Sequence, residues 1–331
     1  MNNILSIIED IKWSSLKKVV SIRNLGTKRR GSGKSILNLE TIIKLGPVPV
    51  IKNESEAYRR FYKLLGKNAY GIFPRTIYRK ISPKQSLIAI EPVQGITFEQ
   101  TVRGLIRGAY EYGQKSRSVE KIQKSIIRLS EEVLLKLRIL HSGVNCTDPK
   151  KEMDLFLVEM SRGLSYSLKR SKIKSNFSAI LRVGSDFMGT VSLAHRDLSL
   201  INIIVVNDSV TFIDPRHHVA SSTQNQRGAR FASPVIDLVA FNVALQRSEV
   251  EVQNIFPNLR LSARDYIEKE ISYLLRQGVF SPAMVALSEA VVWAGYAACR
   301  CSNCLNSKNK FLRDFVFSKT KNCLDVLCAL K

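Results

Sequence analysis

The residue types best suited to chemistry are concentrated between residues 193 and 216, in the segment LAHRDLSLINIIVVNDSVTFIDPR. Asp197 comes first, Asn202 follows five residues later, and Asp214 follows twelve residues after Asn202. The last two flank a pair of apolar runs separated by the polar turn Asn-Asp-Ser at 207–209, a pattern that predicts a β-hairpin. Such a hairpin would hold Asn202 at its entrance and Asp214 at its exit, on the same side.

The three side chains would then supply two carboxylates and one amide oxygen at one place. Hard oxygen ligands of this kind suit magnesium that is held by few protein groups and by substrate phosphates. The arrangement is also typical of phosphoryl transfer, in which a loop aspartate orients the attacking hydroxyl while the other two side chains hold the metal. The alternative, a hairpin with ordinary turn carboxylates, requires neither His195 nor the fixed spacing.

The same stretch resembles the catalytic and metal-binding loops of the protein-kinase-like phosphotransferases, and those of the aminoglycoside and choline kinase type in particular. The resemblance rests on the motif H-x-D-x-x-x-x-N from His195 to Asn202, the apolar hairpin that follows it and the Ile-Asp pair that ends at Asp214. It implies an α+β, bilobal fold with a small N-terminal lobe of antiparallel sheet and a larger, mainly helical C-terminal lobe. It also implies ATP and Mg²⁺ as cofactors, with Asp197 as the catalytic residue and Asn202 and Asp214 as the metal ligands.

A glycine-rich basic loop, GTKRRGSGKS, occupies residues 26–35. One interpretation is the hairpin loop that covers the ATP phosphates in kinase-like folds, where Gly31 and Gly33 let backbone amides approach the phosphates and Lys34 adds charge. A Walker A loop is a second interpretation, although Lys28 stands where its first glycine would fall. A basic loop without a ligand is the third.

The resemblance assigns further residues to the nucleotide site. Strands are predicted at 19–22 and 36–43, and Val48 to Lys52 predicts a third, short strand because the prolines at 47 and 49 argue against a central helix. Lys52 would then hold the α- and β-phosphates. A helix predicted over 54–65 would present Glu56 as the carboxylate that pairs with Lys52, and the alternative is an acid favoured by the helix dipole.

The apolar strand predicted at 86–90 runs into Glu-Pro-Val-Gln-Gly, which is similar to the hinge between the lobes in this family. Glu91 and Val93 would contact adenine there through their backbones. The predicted organisation is a nucleotide-binding lobe at 1–95 and a catalytic and substrate-binding lobe at 96–331.

The C-terminal lobe begins with helical periodicity from 96 to about 140 and contains an insertion-like segment at 144–190. The basic residues between 162 and 174 in that segment form either an acceptor-recognition surface or a solvated helix face. His141 and Asp237 are interpreted as structural supports of the catalytic loop.

The chain departs from the family pattern after the motif. Ser199 stands where protein kinases have a lysine that supports the γ-phosphate, and Pro215-Arg216 stands where they have Phe-Gly. Arg216 is therefore a candidate for steadying the transferred phosphate. The polar segment 217–233 predicts either an acceptor lid or a surface excursion.

The formal net charge is +23, and residues 1–80 hold 17 basic against 5 acidic residues. Such a charge favours anionic partners, which include nucleotides, nucleic acid, phosphorylated sugars and acidic membrane surfaces, and it argues against a polycationic acceptor. No apolar run has the length of a membrane span, and no signal-peptide core precedes the first acidic residues. A cytoplasmic location is the prediction.

Five of the six cysteines lie near the C-terminus. The spacing of Cys299, Cys301 and Cys304 admits a zinc site completed by Cys323 or Cys328. Free buried thiols in a reducing compartment are the competing interpretation.

The sequence thus predicts ATP- and Mg²⁺-dependent transfer of the γ-phosphate to a hydroxyl of a small molecule, with an anionic or sugar-like acceptor. The alternatives are a protein kinase and a nucleotide- or nucleic-acid-binding pseudokinase. Salt-sensitive binding of nucleic acid without turnover would favour the last of these.

Overall fold

The computed structural model describes residues 19–23, 34–38, 41–91, 93–111, 116–142, 146–174, 189–215, 230–252, 260–298 and 310–329. Within these ranges the N-terminal part is built on one sheet and the C-terminal part is mainly helical. No helix in the described ranges combines the length and the apolar character needed to cross a membrane.

The N-terminal sheet contains five antiparallel strands in the order β1-β2-β3-β5-β4. Their bounds are β1 Val19–Arg23, β2 Lys34–Asn38, β3 Thr41–Pro47, β4 Thr76–Lys80 and β5 Gln85–Ile90. The interior position of β5, between β3 and β4, fits its burial, because all residues of this strand after Gln85 are buried. The strand predicted at 19–22 is confirmed as β1.

The strand predicted at 36–43 is wrong in its extent, because the chain reverses between Asn38 and Thr41 and forms two paired strands. The second of these, β3, continues to Pro47 and carries Lys44 near its middle. The reversal is marked by the polar residues Asn38 and Thr41, which the single-strand prediction had included.

The strand predicted at 48–52 is also wrong, because helix α1 spans Val48–Leu65 and begins directly after β3. Pro47 is the N-cap residue, and Pro49 lies in the first turn. The first turn of a helix tolerates proline because its N–H groups have no partner within the helix. The prolines therefore mark the start of a helix and do not exclude one.

After α1, a 3₁₀ segment spans Gly66–Gly71, and β4 and β5 complete the sheet. Residues 91–95 then lead to β6, Ile96–Thr97, which pairs with β7 in a second, three-stranded sheet. This sheet is completed by the hairpin of β7, Ile203–Val206, and β8, Ser209–Phe212. The connection at 91–95 therefore joins the N-terminal sheet to the sheet beside the catalytic motif.

Gly95 lies at this connection, packed against β7. A Cβ at this position would overlap the Val205 carbonyl oxygen and come within 2.9 Å of Ile204 Cγ2. We expect Gly95→Ala to lower the free energy of unfolding by about 1–3 kcal/mol, because the backbone of β7 would have to move. Chemical denaturation measures the change.

Gly104→Ala is the matched control, since Gly104 is an exposed helical residue whose added Cβ would meet nothing within 4 Å. This variant should be stabilised by up to about 1 kcal/mol through helix propensity. Equal stability changes in the two variants would contradict the close approach of β7 to Gly95.

The C-terminal part contains seven described helices. Their bounds are α2 Phe98–Glu111, α3 Ser116–His141, α4 Pro149–Ser171, α5 Val235–Val252, α6 Ala263–Arg276, α7 Pro282–Ala298 and α8 Lys310–Ala329. The most apolar of them, α7, packs against α4, α5 and α8, and its Trp293 is among the largest fully buried side chains. The helical core therefore surrounds α7.

Helix α4 lies in the segment interpreted as insertion-like, yet it is part of this core. It buries an apolar stripe at helical spacing, formed by Met153, Phe156, Met160, Leu164 and Leu168. The basic side chains in its second half and just after its end are exposed, namely Arg162, Lys169, Arg170, Lys172 and Lys174. Helix α4 therefore has an apolar face in the core and a basic face in solvent. The basic face explains why the sequence pattern suggested an insertion at the surface.

Candidate active site

The hairpin predicted from the sequence is confirmed, and it brings Asn202 and Asp214 together. Ile203 pairs with Phe212, and the Ile213 N–H donates to the Asn202 carbonyl over 2.9 Å. The two-residue turn at its far end places Asn207 at φ 55°, a conformation that asparagine tolerates.

The catalytic loop from His195 to Asn202 is closed by its own hydrogen bonds. The Asn202 amide nitrogen Nδ2 donates to the Asp197 carbonyl over 2.8 Å. Because a carbonyl can only accept, this bond fixes which end of the Asn202 amide faces the loop and turns Oδ1 away from that carbonyl. Asp197 is half-buried and Asn202 is buried.

The donor set fits magnesium. The structure places the carboxylate of Asp214 and the amide oxygen of Asn202 at one end of the hairpin, and both are hard oxygen ligands. Among the described residues there is no cluster of three or more His, Cys, Asp or Glu side chains that could hold a metal. A site with two protein ligands leaves the other positions to phosphate oxygens and water, as magnesium prefers.

Asp237, which is 0% exposed, holds the backbone of the catalytic loop through hydrogen bonds. Its carboxylate accepts the backbone N–H groups of His195 and Arg196, each at 2.7 Å, and lies 3.1 Å from His141 Nε2. Burial raises the pKa of Asp237, but the hydrogen bond and charge of His141 and the contribution of His195 outweigh it, so the pKa lies below its ordinary value. The interpretation of His141 and Asp237 as supports is confirmed.

His195 ties the loop to the residue before Asp214. Its Nδ1 accepts the Asp197 N–H at 3.3 Å, so the proton lies on Nε2, which donates to the Ile213 carbonyl at 2.8 Å. Burial is the largest influence on the imidazole and lowers its pKa. A neutral, fully buried ring with both nitrogens hydrogen-bonded supports the loop.

Arg196 joins the loop to α4. It has φ 64°, its guanidinium donates to Glu159 Oε2 over 3.3 Å, and it lies over the Phe156 ring at 5.9 Å. Burial lowers the pKa of Arg196, and Glu159 opposes that effect. Helix α4 therefore positions the residue next to Asp197.

The lysine in contact with this site is Lys44, on β3. Its ammonium lies 2.9 Å from Glu54 Oε1 and contacts Asp214 Oδ1 directly. Burial lowers the pKa of Lys44, but the charges and hydrogen bonds of Glu54 and Asp214 outweigh it and raise the pKa, so the lysine stays charged. Lys44, Glu54 and Asp214 thus form an ion-pair triad between the sheet, α1 and the hairpin.

The structure corrects the sequence assignment of Lys52 and Glu56. Lys52 is exposed on α1, and Glu56 pairs with Arg59 on the surface of the same helix at 2.9 Å. Lys52 was assigned from a strand that the structure replaces with a helix, and Glu56 was assigned as its partner. Sequence reasoning missed Lys44 and Glu54, and the signal that could have found them was Pro49 as a first-turn residue.

Tyr58 was also missed. It lies one turn after Glu54 on α1, is 0% exposed, and its hydroxyl oxygen accepts the Asp214 N–H at 3.0 Å. Burial, together with the carboxylates of Glu54 and Asp214, raises the pKa of Tyr58 well above its ordinary value. No sequence motif marks this residue.

An aromatic cluster packs behind these contacts. Phe73 stacks on Phe61 with ring centroids 4.4 Å apart and also contacts the rings of Tyr58, His195 and Phe212. The Phe212 N–H donates to the Ile72 carbonyl at 2.8 Å. The cluster therefore links α1 to both the catalytic loop and the hairpin.

The glycine-rich loop lies largely outside the described residues, and with it Gly31 and Gly33. Lys34 begins β2, where it pairs with Leu45, the neighbour of Lys44. A Walker A loop leads into a helix, whereas Lys34–Asn38 is a strand paired with both β1 and β3. The Walker interpretation is therefore wrong, and an antiparallel pair of strands borders the loop.

The predicted hinge residues lie between β5 and β6. The Glu91 N–H donates to the Arg75 carbonyl at 2.8 Å, and the Glu91 carboxylate pairs with the Arg75 guanidinium. A contact to adenine at residue 91 would therefore use its carbonyl. Val93 is half-buried in the same connection.

Three arginines, Arg60, Arg196 and Arg230, place positive charge close to the catalytic loop. Arg60 on α1 donates to the Arg230 carbonyl at 2.6 Å. Burial and the charges of Arg196 and Arg230 lower the pKa of Arg60 to about 10. Arg216 and most of the segment 217–233 lie outside the described residues.

The C-terminal cysteines are described in part. Cys323 is buried, Cys328 is exposed, and both are free thiols, whereas Cys299, Cys301 and Cys304 lie outside the described residues. Burial and the Glu289 carboxylate raise the pKa of Cys323 to about 12. The zinc interpretation stays a prediction, because three of its ligands lie outside the described residues.

Comparison with known proteins identifies the fold. Neither a protein-family model nor a curated protein sequence matches the chain. Among solved structures, a glucosamine kinase (crystal form B) matches with a TM-score of 0.56 and 12% identity, over 95% of this chain and 79% of that one. A thermostable mutant of the aminoglycoside phosphotransferase APH(4)-Ia, in a ternary complex with ADP and hygromycin B, matches with a TM-score of 0.51 and 9% identity, over 97% of each chain.

At these identities the likeness concerns the fold. The chain has the bilobal protein-kinase-like fold, with a small antiparallel-sheet lobe and a larger, mainly helical lobe. The fold class predicted from the catalytic motif is confirmed. The lobe boundary after residue 95 stays a prediction.

Proposed function

We propose that this protein is an ATP- and Mg²⁺-dependent phosphotransferase that moves the γ-phosphate to a hydroxyl of a small molecule. The observation that carries the proposal is the convergence of Asp197, Asn202, Asp214 and Lys44 in one place on a kinase-like fold. The named ligands of one solved structure support it, since ADP and hygromycin B are bound to a protein of the same fold.

Each residue has a role that its position supports. Asp197 orients the acceptor hydroxyl and accepts its proton. Its position in the loop is held by the hydrogen bonds that the backbone N–H groups of residues 195 and 196 donate to Asp237. Asn202 and Asp214 hold Mg²⁺, which would neutralise charge on the phosphates when bound. Lys44 holds the α- and β-phosphates and is itself oriented by Glu54.

Other groups remain at the edge of the proposed site. Gly31, Gly33 and Lys34 would cover the phosphates, and the backbones of Glu91 and Val93 would contact adenine. Little covalent chemistry falls to the protein in phosphoryl transfer, so positioning and electrostatics supply the rate. Asp237 and His195 hold the catalytic loop in place through their hydrogen bonds and so contribute to positioning.

An anionic or sugar-like acceptor suits the charge around the loop. Arg60, Arg196 and Arg230 lie close enough for their charges to influence one another, and the chain carries a net charge of +23. A polycationic acceptor would be repelled by such a field. The proposal includes a cytoplasmic location, where ATP is the ordinary phosphate donor.

Two other functions lead to different observations. A protein kinase would label casein-like proteins or itself, and a pseudokinase would bind nucleotide without turnover. The suggestion of a nucleic acid partner rests on net charge alone, since the two solved structures described above are named for small-molecule reactions.

The test is ATP binding by calorimetry with and without Mg²⁺, on the wild type and on Asp214→Ala. We expect Mg²⁺ to tighten ATP binding in the wild type and to have almost no effect in Asp214→Ala. The matched control is Asp208→Ala, at the opposite, exposed end of the same hairpin, which should behave as the wild type. Retention of the magnesium effect in Asp214→Ala would contradict the assignment of the metal ligand.

A further inference from the structure

We propose that Tyr58 is a positioning residue that sets the backbone of Asp214 for magnesium binding. The Asp214 N–H donates to the Tyr58 hydroxyl oxygen at 3.0 Å, and the tyrosine is 0% exposed. The inference rests on the proposed function, because it concerns how the same metal ligand is held. It adds a residue that no sequence motif and no ion pair identifies.

The conformation of Asp214 needs such support. Its φ is 55°, in the left-handed region that residues with a side chain seldom adopt. Backbone strain of this kind persists where the surrounding structure fixes it, and it is concentrated at functional sites. A contact that fixes the peptide before Asp214 therefore fixes the direction of its carboxylate.

Both ends of that peptide unit are hydrogen-bonded. The Ile213 carbonyl accepts from His195 Nε2 at 2.8 Å, and the N–H at the other end donates to Tyr58. The catalytic loop and α1 thus hold the same peptide plane from its two sides. Removing the Tyr58 bond leaves the peptide plane held from one side only and leaves the Asp214 N–H, at a part-buried position, without its protein acceptor.

Helix α1 contacts Asp214 in two ways. Glu54 and Tyr58 are four residues apart and share one face of the helix, so the first reaches the Asp214 carboxylate through Lys44 and the second reaches its backbone directly. The contact through Lys44 must give way when phosphates and Mg²⁺ occupy the site. The contact of Tyr58 uses no metal ligand, so it can persist in the loaded site.

This difference predicts a specific phenotype for Tyr58→Phe, which removes the hydroxyl and keeps the ring. At fixed ATP, the Mg²⁺ concentration for half-maximal nucleotide binding should rise about 5- to 50-fold. ATP affinity in the absence of Mg²⁺ should change less than about twofold, because Lys44 and Glu54 are retained. A residue that only stabilised the fold would weaken both kinds of binding together.

Tyr62→Phe is the matched control, one turn further along α1. Its hydroxyl donates to the carbonyls of Phe73 and Pro74 and has no contact with Asp214. This variant loses the same atom from the same helix, so its Mg²⁺ midpoint should equal that of the wild type.

A second measurement needs no ligand. Amide hydrogen exchange of a peptide that contains Asp214 should be faster in Tyr58→Phe than in the wild type or in Tyr62→Phe, by about tenfold. Circular dichroism and thermal melting report whether each variant is folded, and the exchange of peptides in α7 provides an internal reference.

The outcomes separate this inference from the proposed function. An unchanged Mg²⁺ midpoint and unchanged exchange in a folded Tyr58→Phe would overturn the role of Tyr58 while the wild type still bound Mg²⁺ and ATP. Equal shifts in Tyr58→Phe and Tyr62→Phe would overturn it as well. Absence of nucleotide binding by the wild type would instead overturn the proposed function, and this inference with it.

Discussion

Replacement of Lys44 by methionine should weaken ATP binding by about 10- to 150-fold, since a charge-assisted contact to phosphate is worth about 1.5–3 kcal/mol. Lys44 is a charged group that contacts Asp214 and is oriented by Glu54. Calorimetric titration with ATP in the presence of Mg²⁺ measures the loss.

Lys52→Met is the matched control for this prediction, because it removes the other lysine that was assigned to the phosphates. Lys52 is an exposed residue of α1, so its removal should change ATP affinity less than about twofold. The sequence alone had assigned the phosphates to Lys52. A larger loss in Lys52→Met than in Lys44→Met would restore that assignment and contradict the site described by the structure.

Lys44→Met also leaves Glu54 without its cation in a mostly buried position. Some loss of stability is therefore expected, and affinity must be compared at a temperature at which both variants are folded. Glu54→Gln offers an independent check, because it keeps the shape of the side chain and should weaken ATP binding less than Lys44→Met does.

The second large effect concerns turnover. Asp197→Asn should lower kcat by about 10²- to 10⁴-fold, the range that a general base contributes, with ATP affinity nearly unchanged. The amide keeps the shape of the carboxylate and cannot accept the proton. Because Asp197 holds Asn202 through its backbone carbonyl, the substitution preserves that hydrogen bond.

The control for this variant is Asp154→Asn, an exposed aspartate on α4. It should retain wild-type kcat and KM. If Asp197→Asn lost ATP affinity and kept its turnover once saturated with nucleotide, Asp197 would be a ligand of the nucleotide complex and the assigned role would be wrong.

The hairpin that brings the candidate catalytic and metal-binding residues together could be predicted from the sequence because its geometry is local. Asp197, Asn202 and Asp214 lie within one short stretch, and a polar turn between two apolar runs is enough to define the hairpin that joins them. His141 and Asp237 could be interpreted as supports because the motif fixes where such supports are needed.

The nucleotide part of the site was predicted less well, because it depends on where one element ends and the next begins. Pro47 and Pro49 suggest an extended segment, whereas the structure uses them at the N-cap and first turn of α1. That single difference moves the strand lysine from Lys52 to Lys44 and its partner from Glu56 to Glu54. Element boundaries are the least secure outcome of sequence patterns.

Tyr58 belongs to a different class of residue. Its contact with Asp214 joins positions 156 residues apart, and a tyrosine on an apolar helix face has the sequence signature of an ordinary core residue. The same holds for Arg196 and Glu159, whose contact shows that α4 is part of the core that holds the catalytic loop.

Phosphoryl transfer to a panel of small hydroxyl compounds, with sugars, amino sugars and sugar phosphates in separate reactions, tests the proposed function. ADP release and mass spectrometry of the acceptor together report the product. We predict a phosphorylated acceptor that requires both ATP and Mg²⁺, forms most readily with a neutral or anionic sugar, and is lost in Asp197→Asn. Tight nucleotide binding without any phosphorylated small molecule, or labelling confined to casein or to the enzyme itself, would contradict the proposed function.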